Sequence, residues 1–192
     1  MRIFVAGATG VIGRRLVALL VADRHDVAAM TRTESKLEEL ELMGATPILC
    51  DVFDRDRVVR VVTAYEPDIV IHQLTALPDN RTQIPDYSSA NNRIRREGTT
   101  NLVDATQTCD ARVIAQSVAW ILPGDGGAAV EFLERTVLAA GGVVLRYGQF
   151  YGPGTYFESQ PPPRPRVHVN DAAIRTRDSL SAPCSILDIV EP

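Results

Sequence analysis

Short apolar runs rich in β-branched residues alternate along this chain with stretches whose apolar positions recur at helical spacing. Residues 2–6, "RIFVA", read as a buried strand, and residues 11–22, "VIGRRLVALLVA", as a helix. The same pairing repeats. Strand 26–30 precedes helix 34–43, which Gly44 closes; strand 46–50 precedes helix 55–65, which ends before Pro67. Strand 68–73 leads through a Pro-, Asp- and Asn-rich loop at 77–86 to a long polar helix from about Tyr87 to Thr108. Strand 111–117, helix 126–140 and strand 142–147 complete the series. Strands that alternate with helices and are apolar throughout predict an α/β fold, a doubly wound parallel sheet with helices on both faces.

Beyond Gly152 the pattern changes. Residues 152–166 have no periodicity; residues 167–180 read as a short strand and a helix capped by Asn170 or Asp171, and residues 184–190 as a last strand. Two parts are expected: residues 1–152 as the main α/β domain, and residues 153–192 as a short C-terminal segment that completes the substrate side without being an independent domain.

Composition narrows the function classes. The chain of 192 residues is 45% hydrophobic and 23% charged, which is globular. A net charge of −4 argues against nucleic acid as partner. No run of 18 apolar residues is present, so no membrane span is expected, and "MRIFVAGATG" lacks the charged and apolar regions of a signal peptide, which predicts a cytoplasmic protein. Cys50, Cys109 and Cys184 are widely spaced, and with only His25, His72 and His168 beside them no metal site is expected. Lys36 is the only lysine against 19 arginines, so any lysine-dependent chemistry would have to use it.

The chemistry starts at "VAGATGVIG". Gly7, Gly10 and Gly13 stand in G-x-x-G-x-x-G spacing between a strand and a helix. Gly7 permits the tight turn, Gly10 lets a diphosphate approach the backbone, and Gly13 lets helix and strand pack closely. The phosphates would lie at the helix N-terminus, on the loop that also holds Thr9, Val11 and Ile12. About 20 residues on, where an NAD site carries an acid for the ribose hydroxyls, the chain reads Met30-Thr31-Arg32. Arg32 suits a 2′-phosphate, which favours NADP over NAD; the alternative is a solvated surface arginine.

"GATGVIG" resembles the extended and atypical short-chain dehydrogenase/reductase superfamily, in its epimerase/dehydratase-like branch, and further motifs follow in order. "CDVFD" resembles the acidic loop after the third strand, which implies Asp51 and Val52 at the adenine. "IVIHQLTA" resembles the end of the fourth strand and implies Leu74, Thr75 and Ala76 along the cofactor. "REGTTNLVDA", "LRYGQFYGPG" and "VHVNDAA" resemble the following helix, the sixth-strand exit beneath the nicotinamide, and a later element. The resemblance covers nearly the whole chain. It implies a Rossmann-like fold with a shortened substrate lobe, a small-molecule substrate, and a homodimer or larger assembly formed by the helices at 87–108 and 126–140.

The superfamily's catalytic pair is missing. Ser117 matches its serine, but no Tyr-x-x-x-Lys follows; the helix offers Glu131, Phe132, Glu134 and Arg135 instead. The groups expected around a reacting atom are therefore Ser117, to hydrogen-bond a substrate oxygen, and Tyr147 or Tyr151 as a weak substitute donor; His72 and His168 titrate in a suitable range but match structural positions better. Three functions are compatible: a redox enzyme with an altered proton relay acting on a small ketone or related secondary metabolite, a non-redox cyclase, dehydratase or isomerase, and a nucleotide-binding sensor or scaffold.

Overall fold

The computed structural model describes all 192 residues. Seven parallel strands form one sheet: β1 (Arg2–Ala6), β2 (Asp26–Thr31), β3 (Thr46–Leu49), β4 (Ile69–His72), β5 (Arg112–Val118), β6 (Val143–Tyr147) and β9 (Ser185–Ile189), in the order β3-β2-β1-β4-β5-β6-β9. Two short strands between the last two of these, β7 (Gln149–Tyr151) and β8 (Arg166–His168), pair with each other outside the sheet. The connecting helices are α1 (Val11–Ala22), α2 (Leu37–Leu42), α3 (Arg55–Tyr65), α4 (Ser88–Arg93), α5 (Thr99–Gln107), α6 (Gly124–Ala139) and α7 (Val169–Asp178).

Side-chain alternation divides the core in two. Ile3 and Val5 of β1, Val27 and Ala29 of β2, and Val143, Leu145 and Tyr147 of β6 face one side, under Leu16, Leu20 and Ala172 of α1 and α7. Phe4, Ala28, Met30 and Val70 face the other, with Val58 and Val62 of α3 and Leu102 of α5. Val113, Ala115 and Val144 continue that second face beneath Leu133 and Val137 of α6. The C-terminal segment is part of this body. β9 extends the sheet beside β6, and α7 packs against α1, so the sheet is covered on both faces along its length.

Local chemistry moves several boundaries. The expected helix at 34–43 is a 3-10 turn at Glu34–Lys36 followed by the short α2. The long helix is three pieces end to end, α4, a π turn at Ile94–Gly98, and α5. α7 is not capped by Asn170 or Asp171: His168 Nδ1 accepts the Asn170 amide at 3.3 Å, doing the work of a short polar side chain two residues before Asn170. Arg15 of α1 holds this region down through Asn170 Oδ1 at 2.9 Å and the Pro153 carbonyl.

Candidate functional site

A cleft of about 250 Å³ opens at the carboxyl ends of β1, β2 and β4, where the strand order reverses and open α/β sheets bind their ligands. Its floor is the glycine loop. Gly7 has φ +89°, a left-handed conformation, and a Cβ there would lie 2.7 Å from the Gln73 carbonyl carbon. A Cβ on Gly13 would come 2.1 Å from the Gly7 oxygen. No side chain caps α1, so the amides of Val11, Ile12 and Gly13 have no acceptor within the protein and point at the loop's mouth. That is an anion cradle reinforced by the helix dipole.

The other expected cofactor residues fall around this floor. Thr9, Gly10, Arg32, Asp51, Val52, Leu74 and Thr75 line the cleft. Asp51 Oδ1 accepts the Phe53 amide at 3.0 Å, which fixes the turn and leaves the second carboxylate oxygen exposed. The Val52 carbonyl is held by Asn101 Nδ2 at 2.8 Å. Arg32 is exposed and pairs with no acid. Val11 and Ile12 contribute only backbone, since the Ile12 side chain is in the core and that of Val11 faces outward. Ala76 lies just outside the cleft, its amide bonded to Asn91 Oδ1 at 3.1 Å.

Several lining residues escaped the motif reading. Gln73, Phe53 and Ile94 face the cleft, and Gln116 Nε2 donates to the Leu74 carbonyl at 2.9 Å, steadying the β4 exit. The signal for Gln116 was its place one residue before Ser117 at a strand end. Ile94 carries none, because only the π turn brings it round. His72, the last residue of β4, is fully buried between the Leu74 amide at Nδ1 and Thr99 Oγ1 at Nε2, each 3.2 Å away. Burial pushes its pKa down to about 4, so it is neutral and structural at ordinary pH.

Comparison with known proteins agrees with this geometry. Residues 3–137 match the NAD dependent epimerase/dehydratase family. The chain belongs to that family. It is 39% identical over 180 residues to a 3-diazoavenalumate denitrifying reductase from a Streptomyces species, covering 81% of this chain and 58% of that relative's length. The fold is that of UDP-glucose 4-epimerase from Thermus thermophilus in complex with NAD, with a TM-score of 0.81, 19% identity, and coverage of 99% of this chain and 78% of that one. An anaerobillin reductase from Escherichia coli O157:H7 has the same fold at a TM-score of 0.72 and 19% identity, with 100% of this chain covering 98% of that one. The cradle, the uncapped amides and the glycine clearances fit the nicotinamide dinucleotide of this family.

The expected catalytic groups of this family member are placed differently from the sequence expectation. Tyr147 does not reach the cleft. It faces the α1–α7 core with Leu145, is 2% exposed, and its hydroxyl is shared between Gln73 Nε2 at 3.0 Å and Thr176 Oγ1 at 2.6 Å. Burial raises its pKa to about 12 against those two hydrogen bonds, so it stays protonated. Tyr151 donates to the Glu191 carboxylate, which raises its pKa, and its ring packs edge-on against His168 at 5.1 Å. Ser117 Oγ donates to Glu134 Oε1 at 2.6 Å, and Arg146 closes the cluster on both oxygens of Glu134. Burial raises the Glu134 pKa, but the hydrogen bonds from Arg146 and Ser117 outweigh it and leave the carboxyl below its usual range. In this arrangement the Ser117 hydroxyl hydrogen is directed at Glu134, and its lone pairs are what it turns to other partners.

Proposed function

We propose that this protein is a nicotinamide-dinucleotide-dependent reductase of a small secondary-metabolite substrate, using NADP before NAD and working without a tyrosine–lysine proton relay. The glycine cradle supports it most: Gly13 cannot carry a Cβ 2.1 Å from the Gly7 oxygen, and the amides beside it are free for a diphosphate. Arg32, exposed on the rim without an acidic partner, is where a 2′-phosphate would be held, and Asp51 and Val52 border the adenine end. When bound, a reduced nicotinamide would supply hydride; a diazonium acceptor would exchange its carbon–nitrogen bond for a carbon–hydrogen bond and release dinitrogen, a balance that asks no proton of the protein. The protein's own part is to bind, orient and keep the site dry. Ser117, Tyr147 and Tyr151 have their hydroxyl hydrogens committed to other groups, which suits a reaction that asks for no side-chain acid. The Streptomyces relative, named as a denitrifying reductase of a diazo compound, is consistent with this class. The same reading has the protein act as a homodimer.

Calorimetry with the oxidised and reduced forms of both dinucleotides is the test. NADPH and NADP are expected to bind, and Arg32→Ala should weaken them by about tenfold while leaving NAD nearly unchanged, the loss of one charge-assisted contact. No binding of any form at millimolar concentration would sink the reading and promote a non-redox role.

A further inference from the structure

The geometry points to Arg95 as the anchor for the carboxylate of a small, largely apolar acid at the substrate end of the cleft. This rests on the reductase reading for what the acid is doing there, but not for the anchor itself.

Arg95 stands in the π turn between α4 and α5. That helix runs antiparallel to the sheet, so its early residues project beyond the carboxyl ends of the strands. Thr99 bonds His72 at the end of β4, and Asn91 bonds the Ala76 amide on the loop above it. Arg95 lies on the stripe between them. Its neighbour Ile94 lines the cofactor cleft, and Asn92 on its other side bonds Asp125 in the first turn of α6 at 2.9 Å. This stretch of helix is thus tied to the exit of β4 through Asn91 and to the start of α6 through Asn92, and Arg95 directly follows Ile94, which lines the cleft together with Gln73, Leu74 and Thr75.

Its partners differ from those of the arginines on either side of it. Arg93 pairs with Glu97 and Arg96 with Asp125, so the nearby acids are taken. Arg95 is half-buried, pairs with no acid, and makes one hydrogen bond, from Nη1 to Asn92 Oδ1 at 3.1 Å. Desolvation lowers its pKa, as expected of a cation that lacks a counter-charge. Nε and Nη2 have no protein partner. The only sealed side-chain polar atom without a partner is the Tyr65 hydroxyl, so these N–H groups open onto solvent-accessible space. A guanidinium with its fork free is matched by a planar carboxylate. The rest of the ligand is suggested by the same edge of the molecule: Leu77, Tyr87, Trp120 and Ile121 are exposed on the segments that leave β4 and β5.

Calorimetry on the whole protein with cinnamate and its neutral isostere cinnamamide tests the anchor. Cinnamate is expected to bind at least about tenfold tighter than cinnamamide, and Arg95→Gln should erase the difference, with Arg95→Lys restoring part of it. NADPH affinity should stay within about twofold, and the thermal midpoint should hold, because Arg95 makes only one contact. Equal binding of acid and amide, or binding of neither, overturns the proposal. So does an Arg95→Gln variant that loses NADPH as strongly as cinnamate, which would give the arginine to the cofactor's diphosphate. If NADPH fails to bind the wild-type protein, the reductase reading falls, while the acid–amide comparison without cofactor still decides Arg95.

Discussion

Ser117 and Tyr147 carry hydroxyls whose chemistry is set by which face of the sheet they occupy. Tyr147 follows Val143 and Leu145 at period two and is drawn into the α1–α7 core with them. Ser117 follows Val113 and Ala115 onto the α6 face, where its hydroxyl donates to Glu134. Both should therefore act on stability rather than on turnover. Tyr147→Phe leaves Gln73 Nε2 without its buried acceptor and takes a donor from Thr176 Oγ1, which keeps its bond to the Ala172 carbonyl, and Ser117→Ala removes one bond to a buried carboxylate. Each is expected to cost about 1–3 kcal/mol in urea unfolding with turnover of a reducible substrate kept within a few-fold. Normal stability with abolished turnover in either variant would return that hydroxyl to catalysis. The period-two pattern is legible in "VVLRY" itself. The carboxylate opposite Ser117 is not, because Glu134 comes from a helix whose register against the strand is a tertiary matter.

At the scale of elements, the strands and their order of connection were legible because parallel strands are apolar throughout and the helices between them are not. The π turn at Ile94–Gly98 was not: a single wide turn leaves composition and periodicity almost unchanged, yet it brings Ile94 to the cleft. The outward side of the same layer bears on assembly. Phe53, Thr100 and Phe132 line a shallow groove between α3, α5 and α6, rimmed by Arg55, Arg96 and Glu97. Apolar centre and mixed-charge rim suit an isologous contact, in which each copy offers the same groove and the two helices of one protomer meet those of the other. The need for a partner does not come from a bare sheet, which α1, α7, α3, α5 and α6 cover. Light scattering at tens of micromolar should give a dimer, and Phe132→Asp, in the middle of the groove, a folded monomer. A monomeric wild-type protein would remove the dimer from the proposal.

For the whole molecule, acid stability ties the core to the site, because His72 joins the central strand to the β4 exit. Folded, it is neutral and buried, with its pKa pushed from 6.5 down to about 4. Unfolded, it binds a proton near its ordinary value. Between those two pH values the unfolded chain holds a proton the folded one refuses, so stability rises with pH across that window. It falls as pH drops from about 6.5 towards 4, by about 3 kcal/mol at 1.36 kcal/mol per unit. Below the folded value both states are protonated and this contribution goes flat. Glu134 acts in the next window down. Its pKa is lowered by Arg146 and Ser117 against burial, so the stability it adds is present above the ordinary carboxylate range and is lost as pH falls below it. The two limbs are separable: urea unfolding of wild type and His72→Gln at pH 7, 5.5 and 4.5 should give a shallower slope for the variant, with the shared remainder belonging to the carboxylates. Protonation of His72 also breaks its hold on the Leu74 amide at the rim of the cofactor cleft. In the folded protein that protonation comes only near pH 4, so NADPH affinity in the wild type should hold through the stability window and weaken as pH approaches 4. Identical slopes for the two proteins from pH 7 to 4.5 would show that His72 is not the group the acid reaches.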